Sequence, residues 1–234
     1  MIPSYYKGKH QGEAAVLLAT GPTLDSFSFD LIPEKTFKTI GVNAILYKDF
    51  NLDYYFGAQN PRREKNHKHA ELEKKDPLFN RILKIKDKTK IFCAEGYTKI
   101  FTAKDGTECS QLSAHPEFFN KEEVSRMDAN TYTLSHDRNF SKEISETPLY
   151  NYSIVYPSAQ FAMYCGFSKL YLVGCDCSGG ASYISKNSQN SALKHFPYHW
   201  HIIKKVRDDF FPETEIISIN PVGLKSLFPY VSNE

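Results

Sequence analysis

The sequence has few cysteines, and they form no pattern that would build a disulfide framework or a zinc site. The 234 residues contain five of them, at positions 93, 109, 165, 175 and 177. The odd number and the irregular spacing favour buried thiols in a reducing compartment. Cys175 and Cys177 are not followed by a second pair at zinc-site spacing. We therefore expect neither a disulfide-rich secreted domain nor a structural zinc ion.

Long apolar runs are also missing. No stretch approaches the roughly 20 apolar residues of a transmembrane helix. The opening residues, MIPSYYKGKHQGEAAV, lack the apolar centre of a secretory signal peptide. We expect a cytoplasmic protein, with the inner face of the membrane as an alternative location.

The chain has no strong charge imbalance, since its net charge is +2. This argues against a partner that is a nucleic acid. The charge is nevertheless uneven, because residues 62–90 hold eleven Lys or Arg against five Asp or Glu. A solvated helix face is the ordinary interpretation. The alternative is a surface that attracts an anionic substrate or lipid headgroups, so peripheral membrane association stays open, as does a homo-oligomer.

Short apolar runs alternate with segments of helical periodicity along most of the chain. Strands are predicted over residues 14–19, 37–45, 52–60, 90–95, 169–176 and 215–220. Helices or turns are predicted over residues 24–32, 64–83, 158–165, 197–211 and, as a closing turn and helix, 222–228. This alternation predicts an α/β protein with a Rossmann-like, mostly parallel sheet and helices on both faces. Residues 96–149 show weak periodicity, and we expect a lid or insertion there within one nucleotide-binding domain of residues 1–234.

Polar residues follow four of the predicted strands, at residues 20–23, Asn43, residues 59–61 and residues 174–180. In an open parallel sheet, ligands bind beyond the carboxyl ends of the strands, so these segments should converge on one edge.

The first of these segments, Thr20-Gly21-Pro22-Thr23, matches neither the dinucleotide fingerprint nor a P-loop. Gly21 would let a ligand approach the backbone, and the following helix start would offer free N–H groups to an anion. The alternative is an ordinary turn in which Thr23 or Asp25 caps the next helix.

Asp176 ends a hydrophobic strand and precedes Ser178. Its carboxylate could accept hydrogen bonds from a ribose or a base, could bind a metal, or could be a buried structural group. A DxD metal motif would need a second carboxylate at position 178. We therefore predict no essential divalent metal.

Three histidines, His195, His199 and His201, lie close together near the end of the chain. They do not form an H-E-x-x-H zinc motif. A general base is the functional interpretation, because the pKa of histidine lies near neutral pH. The alternative for each one is a structural histidine with satisfied hydrogen bonds.

Four segments together resemble a known family: LLATGPTL, IGVNAILY, FGAQNP and YPSAQFAMYCGFSKLYLVGCD, in that order. The chain resembles the bacterial sialyltransferases of glycosyltransferase family 42. It also resembles the related MptE-like 6-hydroxymethylpterin diphosphokinases, especially in its opening residues 5–24 and in residues 215–228. The resemblance covers nearly the whole chain and is weakest over residues 96–149.

The sialyltransferase resemblance implies a modified, GT-A-like Rossmann fold with a lid. It implies a CMP-sugar donor, a glycan acceptor of the bacterial surface such as lipopolysaccharide or capsule, inversion at the anomeric carbon, and no required metal or cofactor. The implied nucleotide-binding residues are Thr20, Gly21, Pro22, Thr23, Asn43, Asn60, Ser153 and Asp176. Tyr183 is implied to contact the departing phosphate, and His195 or His199 is implied to be the catalytic base.

Two other functions remain as alternatives to a glycosyltransferase. A diphosphokinase would move pyrophosphate from ATP and would normally use Mg²⁺ held by carboxylates, but no acidic cluster accompanies Asp176. A nucleotide-binding module without catalysis would bind a nucleotide with no histidine near the phosphate.

Overall fold

Seven parallel strands form one sheet, in which β1 occupies a central position. The computed structural model describes residues 2, 4–57, 78–85, 88–93, 143–144, 153–177 and 196–233. The strands are β1 Ala14–Leu18, β2 Lys38–Val42, β3 Tyr54–Gly57, β4 Lys90–Cys93, β5 Lys169–Val173, β6 Glu215–Ile219 and β7 Tyr230–Val231. Their order is β4-β3-β2-β1-β5-β6-β7, with parallel pairing throughout. The predicted α/β class with a Rossmann-like parallel sheet is confirmed.

The all-apolar sequence of β1 follows from its position. All five of its residues are buried. Ala15 and Leu17 belong to the core on one face of the sheet, whereas Val16 and Leu18 belong to the core on the other face. A strand that is covered on both faces needs a continuous apolar run rather than alternation, and residues 14–18, AAVLL, supply it.

Helices cover both faces, but they differ in kind. The α-helices of the described residues are α1 Leu78–Ile85, α2 Val155–Tyr164 and α3 Phe196–Phe210. α2 and α3 pack against each other and share one core with the sheet. The other face is covered by α1 and by short 3-10 helices over Pro22–Ser26, Phe29–Leu31 and Asn43–Tyr47. The connections from β1 to β2 and from β2 to β3 therefore contain no α-helix.

The structure corrects two of the predicted boundaries. The second strand does not run to residue 45: it ends at Val42, because Asn43 has a positive φ of 47° and begins a 3-10 helix. The predicted closing helix over residues 222–228 is wrong as well. Residues 223–227 form turns, and they lead into β7, a strand that the sequence pattern did not predict.

The segment before β1 is fixed at the amino edge of the sheet by His10. Its Nδ1 lies 3.0 Å from Glu13 Oε1, and its Nε2 lies 2.5 Å from the Tyr54 hydroxyl. The imidazole also stacks on Phe167, with ring centroids 4.6 Å apart. His10 is thus a buried residue with both nitrogens bonded.

The strand order reverses at β1, and this defines where a ligand would bind. From β1 the chain proceeds outward through β2, β3 and β4, and it then returns to the other side of β1 to form β5, β6 and β7. The carboxyl ends of β1 and β5 therefore mark the topological switch point, the usual ligand position in open α/β sheets.

The predicted lid over residues 96–149 lies outside the described residues, apart from Glu143 and Ile144. Among the described residues, no helix is long and apolar enough to cross a membrane.

Candidate functional site

The described residues other than glycine that have a positive φ all lie at the carboxyl edge of the sheet. The first residue after β2, β5 and β6 has a positive φ in each case: Asn43 at 47°, Gly174 at 66° and Asn220 at 47°. Cys177, four residues after β5, has a φ of 49°. Such conformations are uncommon for residues other than glycine, and they cluster at functional sites. This edge is therefore the first candidate for a binding site.

The ends of β1 and β5 stay in contact beyond the strands themselves. The amide of Ala19 donates to the carbonyl of Val173, and the amide of Gly21 donates to the carbonyl of Gly174, both at 2.8 Å. A Cβ atom at Gly174 would lie 2.6 Å from the Ala19 oxygen. The two segments thus approach too closely for side chains.

Gly21 is needed for the same reason. A Cβ atom there would overlap the Gly174 oxygen and would lie 2.6 Å from Asp176 Oδ2. The prediction was that glycine lets a ligand reach the backbone. The structure gives a separate reason for glycine, because another part of the protein occupies the place of a side chain; the approach of a ligand stays a prediction.

Asp176 holds the loop after β1 by its carboxylate. The Thr23 amide donates to Oδ2 at 2.9 Å, and the Thr23 hydroxyl donates to Oδ1. Asp176 is only 5% exposed. Burial raises the pKa of its carboxyl, and the two hydrogen bonds from Thr23 oppose that rise. Asp176 thus has the features of the structural alternative considered for it, at the edge where a ligand is expected.

These contacts correct the expectation of free N–H groups in the loop. The Gly21 amide is bonded to Gly174, the Thr23 amide is bonded to Asp176, and the Leu24 amide donates to the Gly21 carbonyl at 3.1 Å. Pro22 has no N–H group. The start of the 3-10 helix Pro22–Ser26 therefore offers none of these groups to an anion.

A third strand end joins the same cluster. The amide of Gly223 donates to the Asp176 carbonyl at 2.7 Å. A Cβ atom at Gly223 would overlap the Cys177 oxygen. The turn of residues 220–223, which follows β6, is therefore packed directly on residues 176–177.

The amino ends of α2 and α3 face this edge as well. Their carboxyl ends lie at the amino edge, where Gly12 donates to the Gly166 carbonyl and Thr214 Oγ1 donates to the Phe167 carbonyl. Each helix runs antiparallel to the strands, so its first turn lies at the carboxyl edge. The α3 macrodipole therefore places positive potential there.

Aromatic rings connect these two helix ends to the strand ends. Tyr156 in α2 contacts His199 and Trp200 in α3, with ring centroids 5.5 and 5.4 Å apart. The Trp200 side chain lies beside the thiol of Cys177, which follows β5. His199 is 7% exposed and also meets the ring of Tyr198 at 5.6 Å.

The structure brings most of the predicted site residues to one edge. Residues 20–23 and Asp176 are in contact, Asn43 follows the neighbouring strand β2, and Ser153 lies just before α2. His199 lies in the first turn of α3. Asn60, Tyr183 and His195 lie outside the described residues.

The two cysteines beside Asp176 are protonated thiols. Burial raises the pKa of Cys177 to about 12, and burial raises the pKa of Cys175 well above its usual value. Only the thiolate is a nucleophile or a metal ligand, so neither cysteine is activated for catalysis. Among the described residues, no group of three or more His, Cys, Asp or Glu side chains could hold a metal ion.

Sequence reasoning did not identify Tyr156, Trp200 or Gly223 as parts of this edge. Both aromatic side chains are 1% exposed. Gly223 lies in the segment for which a closing turn and helix is predicted. Their role depends on contacts between segments distant in sequence, for which the local pattern carries no signal.

No protein-family model matches the chain, and no curated protein matches its sequence. Among solved structures, the chain is similar to sialyltransferases of Campylobacter jejuni. CstII in complex with the substrate analogue cytidine-5'-monophosphate is 15% identical, with 93% of this chain and 82% of that chain covered and a TM-score of 0.45. CstII with CMP-3FNeuAc is 14% identical, with coverage of 94% and 86% and a TM-score of 0.44.

The monofunctional alpha-2,3-sialyltransferase Cst-I of the same organism is 15% identical, with coverage of 88% and 75% and a TM-score of 0.47. These structural neighbours are of the class that the sequence motifs resemble. Because their TM-scores are below 0.5, they assign no role to any residue of this chain.

Proposed function

We propose that the chain is a glycosyltransferase that moves a sialic-acid-like sugar from a CMP-sugar donor to a bacterial surface glycan, with inversion and without a required metal. The observation that supports it best is the loop of residues 20–23, which meets Asp176 at the switch point formed by the carboxyl ends of β1 and β5. Ligands, nucleotides among them, bind at the switch point of open parallel sheets. The donor class follows from the motif resemblance, and residues 96–149 are the proposed lid.

The reaction needs a base on the acceptor side. The acceptor oxygen attacks the anomeric carbon, the bond from that carbon to the phosphate oxygen breaks, and CMP leaves with the electron pair. The acceptor hydroxyl proton passes to a histidine, either His195 or His199. His199 lies in the first turn of α3, on the same edge of the sheet as the loop of residues 20–23.

The reaction also needs stabilisation of the departing phosphate. The amides of Gly21, Thr23 and Leu24 are already bonded within the protein, so another group must serve. Tyr183 is the side chain proposed for this role. The positive amino end of α3, a helix of 15 residues, adds favourable potential at the same edge.

A panel of nucleotides tests the donor class. The change is addition of CMP, CDP, UDP, GDP or ATP, each with and without Mg²⁺, and the measurement is the melting temperature. CMP is expected to raise it without Mg²⁺, since a ligand that binds only the folded state stabilises it. If ATP with Mg²⁺ stabilises the fold and CMP does not, the chain is not a CMP-sugar transferase.

Single histidine variants test the mechanism. His195→Ala or His199→Ala is expected to lower the transfer rate by about 10²-fold or more, the usual scale for losing a general base. CMP affinity should stay at the wild-type value, because the base acts on the acceptor. His201→Ala is the matched control, since His201 is exposed on the same helix.

The ring contacts of His199 with Tyr156 and Tyr198 give this residue a packing role as well. The melting temperature of each variant therefore has to be measured beside the rate. If both variants transfer at the wild-type rate, histidine catalysis is wrong. If CMP is bound but the wild type transfers no sugar, the chain is a nucleotide-binding module.

A further inference from the structure

We infer that Asp176 and Thr23 form one positioning unit, which fixes the loop of residues 20–23 against the ends of β5 and β6, rather than two independent contacts to the nucleotide. This inference rests on the proposed function, because it concerns how the same site is held in shape.

Thr23 donates two hydrogen bonds to the carboxylate of Asp176. Both oxygens of Asp176 accept hydrogen bonds from Thr23, one from the amide at 2.9 Å and one from the hydroxyl. The residue is 5% exposed. A buried carboxylate is costly unless it is hydrogen-bonded, and in the described part of the chain Thr23 supplies these bonds. The two side chains therefore depend on each other.

Asp176 lies between the loop after β1 and the turn after β6. Its carboxylate lies against Gly21, where even a methyl group would come within 2.6 Å of Oδ2. Its carbonyl accepts the amide of Gly223 at 2.7 Å. A shift of Asp176 would therefore displace both the loop after β1 and the turn after β6.

The loop of residues 20–23 is held by hydrogen bonds within the protein. The amides of Gly21, Thr23 and Leu24 have partners within the protein. Their arrangement does not depend on a nucleotide, so the loop is formed in advance. Preformed loops bind with a smaller loss of conformational entropy, and removal of the Thr23 hydroxyl should therefore weaken nucleotide binding.

A double-mutant cycle separates a joint unit from two ligand contacts. The variants are Thr23→Val, Asp176→Asn and the double variant, and the measurement is the dissociation constant of CMP by calorimetry. Each single change is expected to weaken binding by about tenfold or more, the scale of one hydrogen bond to a charged group. Residues that act through each other are not additive, so the double variant should bind CMP no worse than the weaker single variant.

Two further variants act as controls. Thr23→Ser keeps the donor and should bind CMP like the wild type. Thr214→Val removes a buried hydroxyl, which donates to the Phe167 carbonyl at 2.8 Å at the opposite edge. It should lose stability as Thr23→Val does, but it should keep the wild-type affinity for CMP.

Four outcomes would count against these proposals. Wild-type affinity in Thr23→Val overturns the inference, and so do additive losses in the cycle. If the wild type does not bind CMP, the proposed function fails by itself. In that case hydrogen exchange of the Thr23 amide decides about the unit: about tenfold faster exchange in Asp176→Asn supports it, and unchanged exchange overturns it.

Discussion

Replacing Gly21 by alanine tests whether the glycine is required by contact rather than by backbone conformation. Its φ and ψ angles, −67° and 159°, are ones that alanine adopts freely. The obstacle is the added methyl group, which would overlap the Gly174 oxygen and lie 2.6 Å from Asp176 Oδ2. Neither neighbour can move cheaply, because the Gly174 carbonyl accepts the Gly21 amide and the Asp176 carboxylate is bonded to Thr23.

The size of the effect follows from two terms. Overpacking of a well-filled site costs about 1–3 kcal/mol, and losing a hydrogen bond to the buried carboxylate costs about 1.5–3 kcal/mol. Gly21→Ala should therefore lower the free energy of unfolding by about 2.5–6 kcal/mol. For a chain of this length, each kcal/mol corresponds to about 2–4 °C in melting temperature.

The assay is thermal unfolding followed by circular dichroism, with Gly12→Ala as the control. Gly12 has a positive φ of 83° and open space around it, so alanine there should cost only about 1–2 kcal/mol in backbone strain. A melting temperature for Gly21→Ala within about 2 °C of the wild type would refute the steric argument, since one kcal/mol alone should exceed that shift.

Two other substitutions probe buried polar groups. Gln160→Met should raise the free energy of unfolding by about 1–3 kcal/mol, because Gln160 is 1% exposed and both of its amide atoms lack hydrogen-bond partners among the described residues. A lower denaturation midpoint would contradict this. Asp176→Asn should gain stability relative to the wild type as the pH rises. The pKa of Asp176 in the folded state is raised above the ordinary value of 3.8. The carboxyl therefore stabilises the folded state fully below pH 3.8, and this stabilisation is lost as the pH rises through the folded-state pKa. Denaturation series at several pH values measure the difference, and a constant gap from pH 4 to pH 7 would contradict the assignment.

The sequence predicts the sheet well because buried parallel strands leave a direct trace. Residues 14–18 and 169–173 are short apolar runs, and such runs between helical segments are typical of strands covered on both faces. The polar residues after these strands are brought together as expected. These polar residues share one edge because β1 and β5 are parallel, so that their carboxyl ends lie side by side.

The details of that edge were not predictable, because they depend on contacts between segments far apart in the chain. Thr23 and Asp176 are 153 positions apart. No local sequence pattern indicates that Thr23 donates hydrogen bonds to both carboxylate oxygens of Asp176. The two-residue strand β7 was not predicted, for a different reason. It is too short to show periodicity, and its pairing with β6 alone defines it.

The central position of β1 has a consequence for synthesis of the chain. Its partner on one side, β2, follows within about 20 residues, but its partner on the other side is β5, where Ala14 pairs with Lys169. At about 5–20 residues per second, the ribosome needs roughly 8–30 s to make the 155 residues (169 minus 14) between these two positions. Until then β1 is an open, wholly apolar strand edge, which is a template for pairing with another chain. The nascent protein is therefore most prone to aggregate before its second half emerges.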